Sequence, residues 1–313
     1  MVRSNRLSYG ALLVGEFTGV TSRPLLLSVP NVSEGSDARV IDEIGRAFSP
    51  ATLLDLHTDP DHGRSVYSLA ARQGEVAEAL LSGARAAAAT IDLRRHRGAH
   101  PHVGAIDVAP VVYIHEAARG AACAEALTAG ALIGDELGIP VFLYGDLATG
   151  PERRERADIR RGGPERLKQR MAAGELRPDY GPPQPHESAG AVLVTARPPL
   201  IAFNLDLDTD DVELAKRIAA RLRESGGGPS GVRAIGLYLP TRGRAQVSFN
   251  VHDHAAVPLR TLVAEVASEA PIAEAELVGL APASAFEGFP EDVPLRGFDP
   301  ERHLIENALR SFN

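Results

Sequence analysis

Tryptophan is absent from this 313-residue chain, methionine occurs twice and cysteine once, and aromatic residues make up only 5 %. One cysteine, Cys123, excludes a disulfide framework within the chain. It sits in Ala121-Ala122-Cys123-Ala124 with no charged neighbour to activate it, so it reads as a small packed thiol. No apolar run approaches the roughly 18 residues that a membrane helix needs. An excess of positive charge is missing too: 33 bases face 41 acids, for a net charge of −8. That balance argues against nucleic acid as a partner, which would call for a basic domain or stripe. Lysine occurs only at Lys168 and Lys216, so nearly every cation is an arginine. Arginine is the better fork for carboxylates, although a GC-rich coding sequence gives the same bias.

What remains is ordinary for a globular protein, 44 % apolar and 24 % charged. At about 100–200 residues per domain, the length predicts two domains or one large one. Residues 1–24 carry Arg3, Arg6 and the short run Tyr9–Gly15, ended by Glu16 with no small-residue cleavage site. They read as an N-terminal extension rather than a signal peptide, which puts the protein in the cytoplasm.

Two halves follow, each with the order β-α-β-β-α-β. In the second, Leu200–Asp206 alternates, Ile201, Phe203 and Leu205 against Ala202, Asn204 and Asp206. A helix over Asp210–Glu224 follows, then strands over Ala234–Leu239 and Ala245–Val251, a helix over Pro258–Glu269 and a strand over Glu274–Leu280. In the first half, strands are expected at Leu25–Val29, Ala51–Leu56, Ser65–Ala70 and Ala105–Tyr113. Helices are expected at Asp37–Phe48, entered through Ser36, and at Glu75–Thr90. A helix near Ala118–Leu137 and a strand at Val141–Tyr144 extend it. A polar Gly/Pro-rich stretch, Asp146–Gly190, with a helix near Glu165–Ala172, joins the halves. The fold class is therefore α+β, two ferredoxin-like (βαββαβ) subdomains packed with a ligand crevice between their sheets. Asn204, Gln246, Ser248 and Asn250 form an uncharged hydrogen-bonding face that would line that crevice.

Histidines are clumped. His57-Thr58-Asp59-Pro60-Asp61-His62 and His252-Asp253-His254 set imidazole beside carboxylate, which suits a transition metal. A metal-dependent hydrolase is thus one alternative, but no H-E-x-x-H spacing is present and no metal is assigned. The segment His96-Arg97-Gly98-Ala99-His100-Pro101-His102 runs into a strand, with Gly98 and Gly104 allowing close approach. Histidine there suits general acid–base chemistry.

Taken with Val29-Pro30-Asn31-Val32-Ser33-Glu34-Gly35, that segment resembles the formiminotransferase domain. Collinear matches continue through Gly104-Ala105-Ile106-Asp107-Val108, Pro140–Gly145, Ile159-Arg160-Arg161-Gly162 and Pro178-Asp179-Tyr180-Gly181-Pro182. They end with Ile201–Asn204, Ala245–Asn250 and Leu277–Leu280, so the resemblance covers the chain from about Leu25. It implies transfer of a formimino group from N-formimino-L-glutamate to N5 of tetrahydrofolate, the co-substrate, in histidine degradation. It implies His100 as the catalytic histidine, and Gly181–Gly190, including Pro182, as a folate-binding stretch. It further implies a homodimer, and it leaves the chain without the cyclodeaminase domain of bifunctional members. Arg64, Arg97 and Arg160 are the candidates for holding the substrate's carboxylates and the folate glutamate tail, Arg160 in the best-matching motif, and Asn31 is a further candidate substrate or folate contact. The sequence departs from the family pattern at Ala99, usually acidic, at His102, usually Arg, and at Gly63, usually Asn. Those departures leave a second alternative, a paralogue that binds folate or a small anion without the reaction. On the resemblance, the chain divides into an N-terminal subdomain with linker, 25–180, and a C-terminal subdomain, 181–313.

Overall fold

The computed structural model describes residues 23–312. The extension expected over 1–24 lies almost wholly outside them. No described helix is long and apolar enough to cross a membrane.

The chain forms two sheets with helices, a mixed α+β architecture. The larger sheet begins with β1 (Leu25–Ser28) and β2 (Asn31–Val32), two short segments of one extended run broken at Pro30. Then come α1 (Ala38–Ala47), β3 (Thr52–Asp59), β4 (Arg64–Arg72), α2 (Val76–Thr90) and β5 (Ile106–Val112). Asp37, not the expected Ser36, caps α1 by accepting from the backbone N–H groups of Arg39 and Val40. The helix buries Ile41 and Ile44 against Tyr67, whose hydroxyl donates to the Ile41 carbonyl at 2.8 Å. Next follow α3 (Arg119–Leu137), β6 (Val141–Leu143), α4 (Arg156–Arg160), α5 (Gly163–Ala172) and β7 (Val192–Arg197). Strand β4 pairs with β3 on one side and with β1 and β2 on the other; β5 follows, then β7, then β6 at the far edge.

Strand β7 has no counterpart in the sequence reading, which set its residues in the 181–313 unit. It runs parallel to β5 and β6 in the larger sheet. Its residues from Val192 to Ala196 are all buried, so the run is apolar without alternation and gives no period-2 signal.

The smaller sheet is antiparallel, in the order β11-β8-β10-β9. Its elements in chain order are β8 (Ile201–Leu207), α6 (Val212–Leu222), β9 (Val232–Leu239), β10 (Arg244–Val251), α7 (Leu259–Ala267) and β11 (Ile272–Val278). Two short helices, α8 (Pro300–His303) and α9 (Ile305–Ala308), lead Ile305 and Leu309 onto Leu27, Ala70 and Val112. Ile201, Phe203 and Leu205 pack with Val247 and Phe249 under α6 and α7. The opposite face is not solvated. Asn204 is 2 % exposed and Gln246 fully buried, because this face turns toward the larger sheet.

Four contacts fasten the two sheets near the turn between β9 and β10. Asp61 accepts from the Thr241 amide at 3.0 Å and from its hydroxyl at 2.5 Å. Arg242 reaches across to Asp59 at 3.3 Å while pairing with Asp206 of its own sheet at 3.0 Å. His62 Nε2 meets Gln246 Oε1 at 2.9 Å.

Candidate functional site

A cavity of about 1370 Å³ lies between the sheets. On its floor, alternate residues of β4 (Arg64, Val66, Ser68), of the β1–β2 run (Leu27, Val29, Asn31) and of β5 (Val108, Pro110, Val112) face inward. From the smaller sheet, Ala202, Asn204, Ser248, Asn250 and Val278 close it.

His100 stands in its wall, on the loop that enters β5. Three features hold that loop. The Ala99 and His100 amides donate to the carbonyls of Asp61 and His62, at 3.1 and 3.4 Å. Gly98 passes so close that a Cβ there would lie 2.4 Å from the His62 carbonyl oxygen. The Val103 amide donates to Asp107 at 2.8 Å. The His62 ring stacks beside that of His100, with centroids 5.9 Å apart.

The hydrogen bonds of His100 settle its tautomer. Nε2 lies 2.8 Å from Arg64 Nη1, which can only donate, so Nε2 accepts. Nδ1 therefore carries the proton and donates to the Pro101 carbonyl at 2.8 Å. Enclosure in the wall, then the charges of Arg64 and Arg160, hold the His100 pKa well below the usual histidine range. At neutral pH this imidazole is uncharged, with its lone pair engaged by Arg64. Burial and the neighbouring Arg160 and Arg156 lower Arg64 to about 10, which leaves it charged.

Of the residues singled out from sequence, Asn31, Arg64, His100, Arg160, Asn204, Ser248 and Asn250 all line the cavity. Arg160 is not free there. Its Nε donates to Asp107 at 3.3 Å and an Nη pairs with the other carboxylate oxygen, both groups being buried. Gln246, Gly181, Pro182 and Gly190 do not line it. Gln246 is engaged at both ends, giving Nε2 to Asp206 at 2.7 Å and accepting from His62. Gly181 takes a positive φ of 79° in a turn against α3, where a Cβ would lie 2.7 Å from the Ile139 carbonyl oxygen. Gly190 bridges to Gly104 and His186, stitching the strand entries of β5 and β7. The Gly181–Gly190 stretch thus braces the wall from behind.

Sequence reasoning missed most of the cavity's charge. Nine arginines line it, among them Arg154, Arg156, Arg197 and Arg233, against two carboxylates, Asp146 and Glu155. In a chain of net charge −8 that is a local inversion of sign. The one available signal was the density of arginine between Arg153 and Arg170. The expected linker there is instead the wall formed by α4 and α5.

The first two histidine groups meet where His62 stacks beside His100. His57, Asp59 and Glu276 offer ligand atoms within 4.8 Å of one another. Arg242 engages Asp59, and Arg296 pairs with Glu276, so this cluster is a neutralised ion-pair network. His252 lines the cavity, and His254 bonds Ser284 at 2.9 Å.

A neutral imidazole acceptor at the edge of an arginine-rich cavity is the layout of a general acid–base site for an anionic small molecule. Comparison with known proteins agrees. The sequence model described as the formiminotransferase domain, N-terminal subdomain, matches residues 25–197, and that described as the formiminotransferase domain matches 202–288. The chain is 37 % identical over 290 residues to the glutamate formimidoyltransferase of Streptococcus pyogenes serotype M1, covering 90 % of this chain and 97 % of that one. It is 34 % identical to the glutamate formimidoyltransferase of Thermoplasma acidophilum, with coverage of 91 % and 97 %. It is 38 % identical over 275 residues to the formimidoyltransferase-cyclodeaminase of Rattus norvegicus, covering 83 % of this chain and 51 % of the longer protein. The chain belongs to the formiminotransferase family.

Proposed function

We propose that this protein is an enzyme that transfers the formimino group of N-formimino-L-glutamate to N5 of tetrahydrofolate and releases L-glutamate, a step of histidine degradation. The observation that carries the reading is the neutral His100 beside Arg64 in a cavity of inverted charge. We assign His100 as the base and then the acid. N5 of the folate attacks the formimino carbon and forms a C–N bond. His100 Nε2 takes the N5 proton. The tetrahedral intermediate then collapses, the bond from carbon to the glutamate nitrogen breaks, and the imidazolium returns the proton to that nitrogen. Such a proton transfer is typically worth ~10²–10⁴-fold, and holding two substrates together in one cavity accelerates the reaction further. Arg64 must release Nε2 for this, and a substrate carboxylate gives it an alternative partner.

The reading includes two ferredoxin-like subdomains whose facing sheets form the ligand crevice. The smaller sheet's order β11-β8-β10-β9 supports this. So do the strands of the first half, which take the same order once β1 and β2 are counted as one. The domain boundary then falls between Arg197 and Ile201, not at 180. Asn31, Asn204, Ser248 and Asn250 are proposed substrate contacts, Arg160 a wall residue set by Asp107. A homodimer and a cytoplasmic location complete the proposal, and light scattering tests the former.

The test is glutamate release from N-formimino-L-glutamate by metal-free protein, with and without tetrahydrofolate. Release that depends on tetrahydrofolate, and that His100→Ala abolishes in a folded protein, is expected. Release indifferent to folate, or an active His100→Ala protein, overturns the assignment.

A further inference from the structure

His62 is 1 % exposed and does not line the cavity, so it meets no ligand there. It nonetheless touches His100 twice. Its carbonyl accepts the His100 amide at 3.4 Å, and its ring lies against the His100 ring with the two planes 24° apart. Two glycines let the loops that carry these histidines press together. A Cβ on Gly63, whose φ is 64°, would lie 2.7 Å from the Gly98 Cα.

A circuit of polar contacts starts and ends on His62. Its amide donates to Asp59 Oδ1 at 2.9 Å, and Asp59 Oδ2 takes Arg242 at 3.3 Å. Arg242 pairs with Asp206 at 3.0 Å, Asp206 accepts Gln246 Nε2 at 2.7 Å, and Gln246 Oε1 meets His62 Nε2 at 2.9 Å. Asp206, paired with Arg242, only accepts, so Gln246 turns its amide nitrogen there and its oxygen to His62. His62 Nε2 therefore carries the proton. Burial, then the Arg64 charge, lowers the His62 pKa, which keeps the ring neutral. An apolar side chain would fill this place without the cost of desolvating an imidazole. Imidazole supplies what no apolar group does, a flat face for His100 together with an edge N–H for the opposite sheet.

Resting on the proposed reaction, in which His100 carries the proton, we propose that His62 is a positioning residue. Tethered through Gln246 to the smaller sheet, it fixes the plane of the His100 ring and so the direction in which Nε2 meets substrate. At rest, Arg64 and the Pro101 carbonyl hold the two nitrogens of that ring. When Arg64 lets go of Nε2, the Pro101 carbonyl holds one nitrogen only, and the ring can swing about that bond. The flat contact with His62 opposes the swing.

Two variants and one spectrum separate this role from a structural one. His62→Gln keeps an N–H for Gln246 and removes the ring; His62→Phe keeps a ring and removes the N–H. In tetrahydrofolate-dependent glutamate release, His62→Gln is expected to lower kcat about tenfold, since misplacing a reacting group by about 1 Å can cost ~10²-fold. KM for both substrates is expected to stay within twofold of wild type, and kcat of His62→Phe to fall between the two. The spectrum needs no substrate. In Arg64→Ala protein, where Nε2 is released, nitrogen NMR is expected to show His100 as one tautomer, protonated at Nδ1. With His62→Gln added, it is expected to show an average of both tautomers. Wild-type kcat in His62→Gln, a loss that appears in KM instead, His62→Phe no better than His62→Gln, or the same His100 spectrum with and without His62 overturns the role of His62. Wild-type protein without tetrahydrofolate-dependent release overturns the proposed reaction, and the spectra then decide by themselves whether His62 fixes the ring.

Discussion

Arg64 Nη1 sits 2.8 Å from His100 Nε2, so the proposed base meets the cation proposed to hold the substrate, and that charge adds to burial in keeping the imidazole neutral. One contact does two things: it orients the imidazole, and it ties the histidine's basicity to occupancy of the site. On the proposed reaction, a substrate carboxylate that draws Arg64 away would free the lone pair and raise the proton affinity of the ring.

Arg64→Gln separates the two effects. Removing the cation lets the His100 pKa rise, so the acid limb of the pH profile of kcat/KM should move upward toward about 6.5. Loss of a charge-assisted hydrogen bond should also raise KM for N-formimino-L-glutamate by tenfold or more, at roughly 1.5–3 kcal/mol per bond. Steady-state kinetics from pH 5 to pH 8 reads both.

Asp107→Ala is expected to destabilise the protein severely. It leaves the buried Arg160 guanidinium without its counter-ion and the Val103 amide without an acceptor. Breaking a buried pair from one side costs about 3–5 kcal/mol. Urea unfolding of the variant should show the midpoint shift with an unchanged m-value.

Gln246→Ala should leave KM for tetrahydrofolate unchanged and lower kcat. Gln246 touches His62 and Asp206, not the cavity. The change orphans a ring N–H and a carboxylate oxygen, at about 1–3 kcal/mol each. It also loosens the ring stacked on His100. A rise in folate KM with kcat intact would mean that the side chain reaches substrate after all.

Stability itself should fall on mild acidification. His62 is buried, and burial followed by the Arg64 charge lowers its pKa; His100 shifts the same way. Both bind a proton more readily when unfolded. Stability is then full above about pH 6.5 and declines as pH falls from there toward the folded values, by at most about 1.4 kcal/mol per pH unit for each histidine. His62→Gln should flatten the urea midpoint between pH 6.5 and pH 5.5.

Much of the fold was legible because its signals are local. Strand β10 alternates cleanly, α1 and α7 carry apolar stripes, and each appears within a residue or two of expectation. Strand β7 was not legible, because a strand buried on both faces has no alternation to read. For the site, periodicity rightly set Asn204, Gln246, Ser248 and Asn250 on one face. It could not say that the cavity ends between Ser248 and Gln246, since that depends on where His62 arrives from the other sheet. Likewise a count of arginines does not tell which ones fold inward. Arg197 and Arg233 reach the same cavity from strands of two different sheets.

The fastening of Asp61 to Thr241 and of His62 to Gln246 has a further effect. The loop that carries His100 hangs from backbone carbonyls of Asp61 and His62, and those residues are anchored on the opposite sheet. Parting the sheets to admit a large ligand would strain those anchors first. The position of the His100 ring is thus set by contacts that cross between the two sheets, so a change that weakens those contacts is felt at the ring.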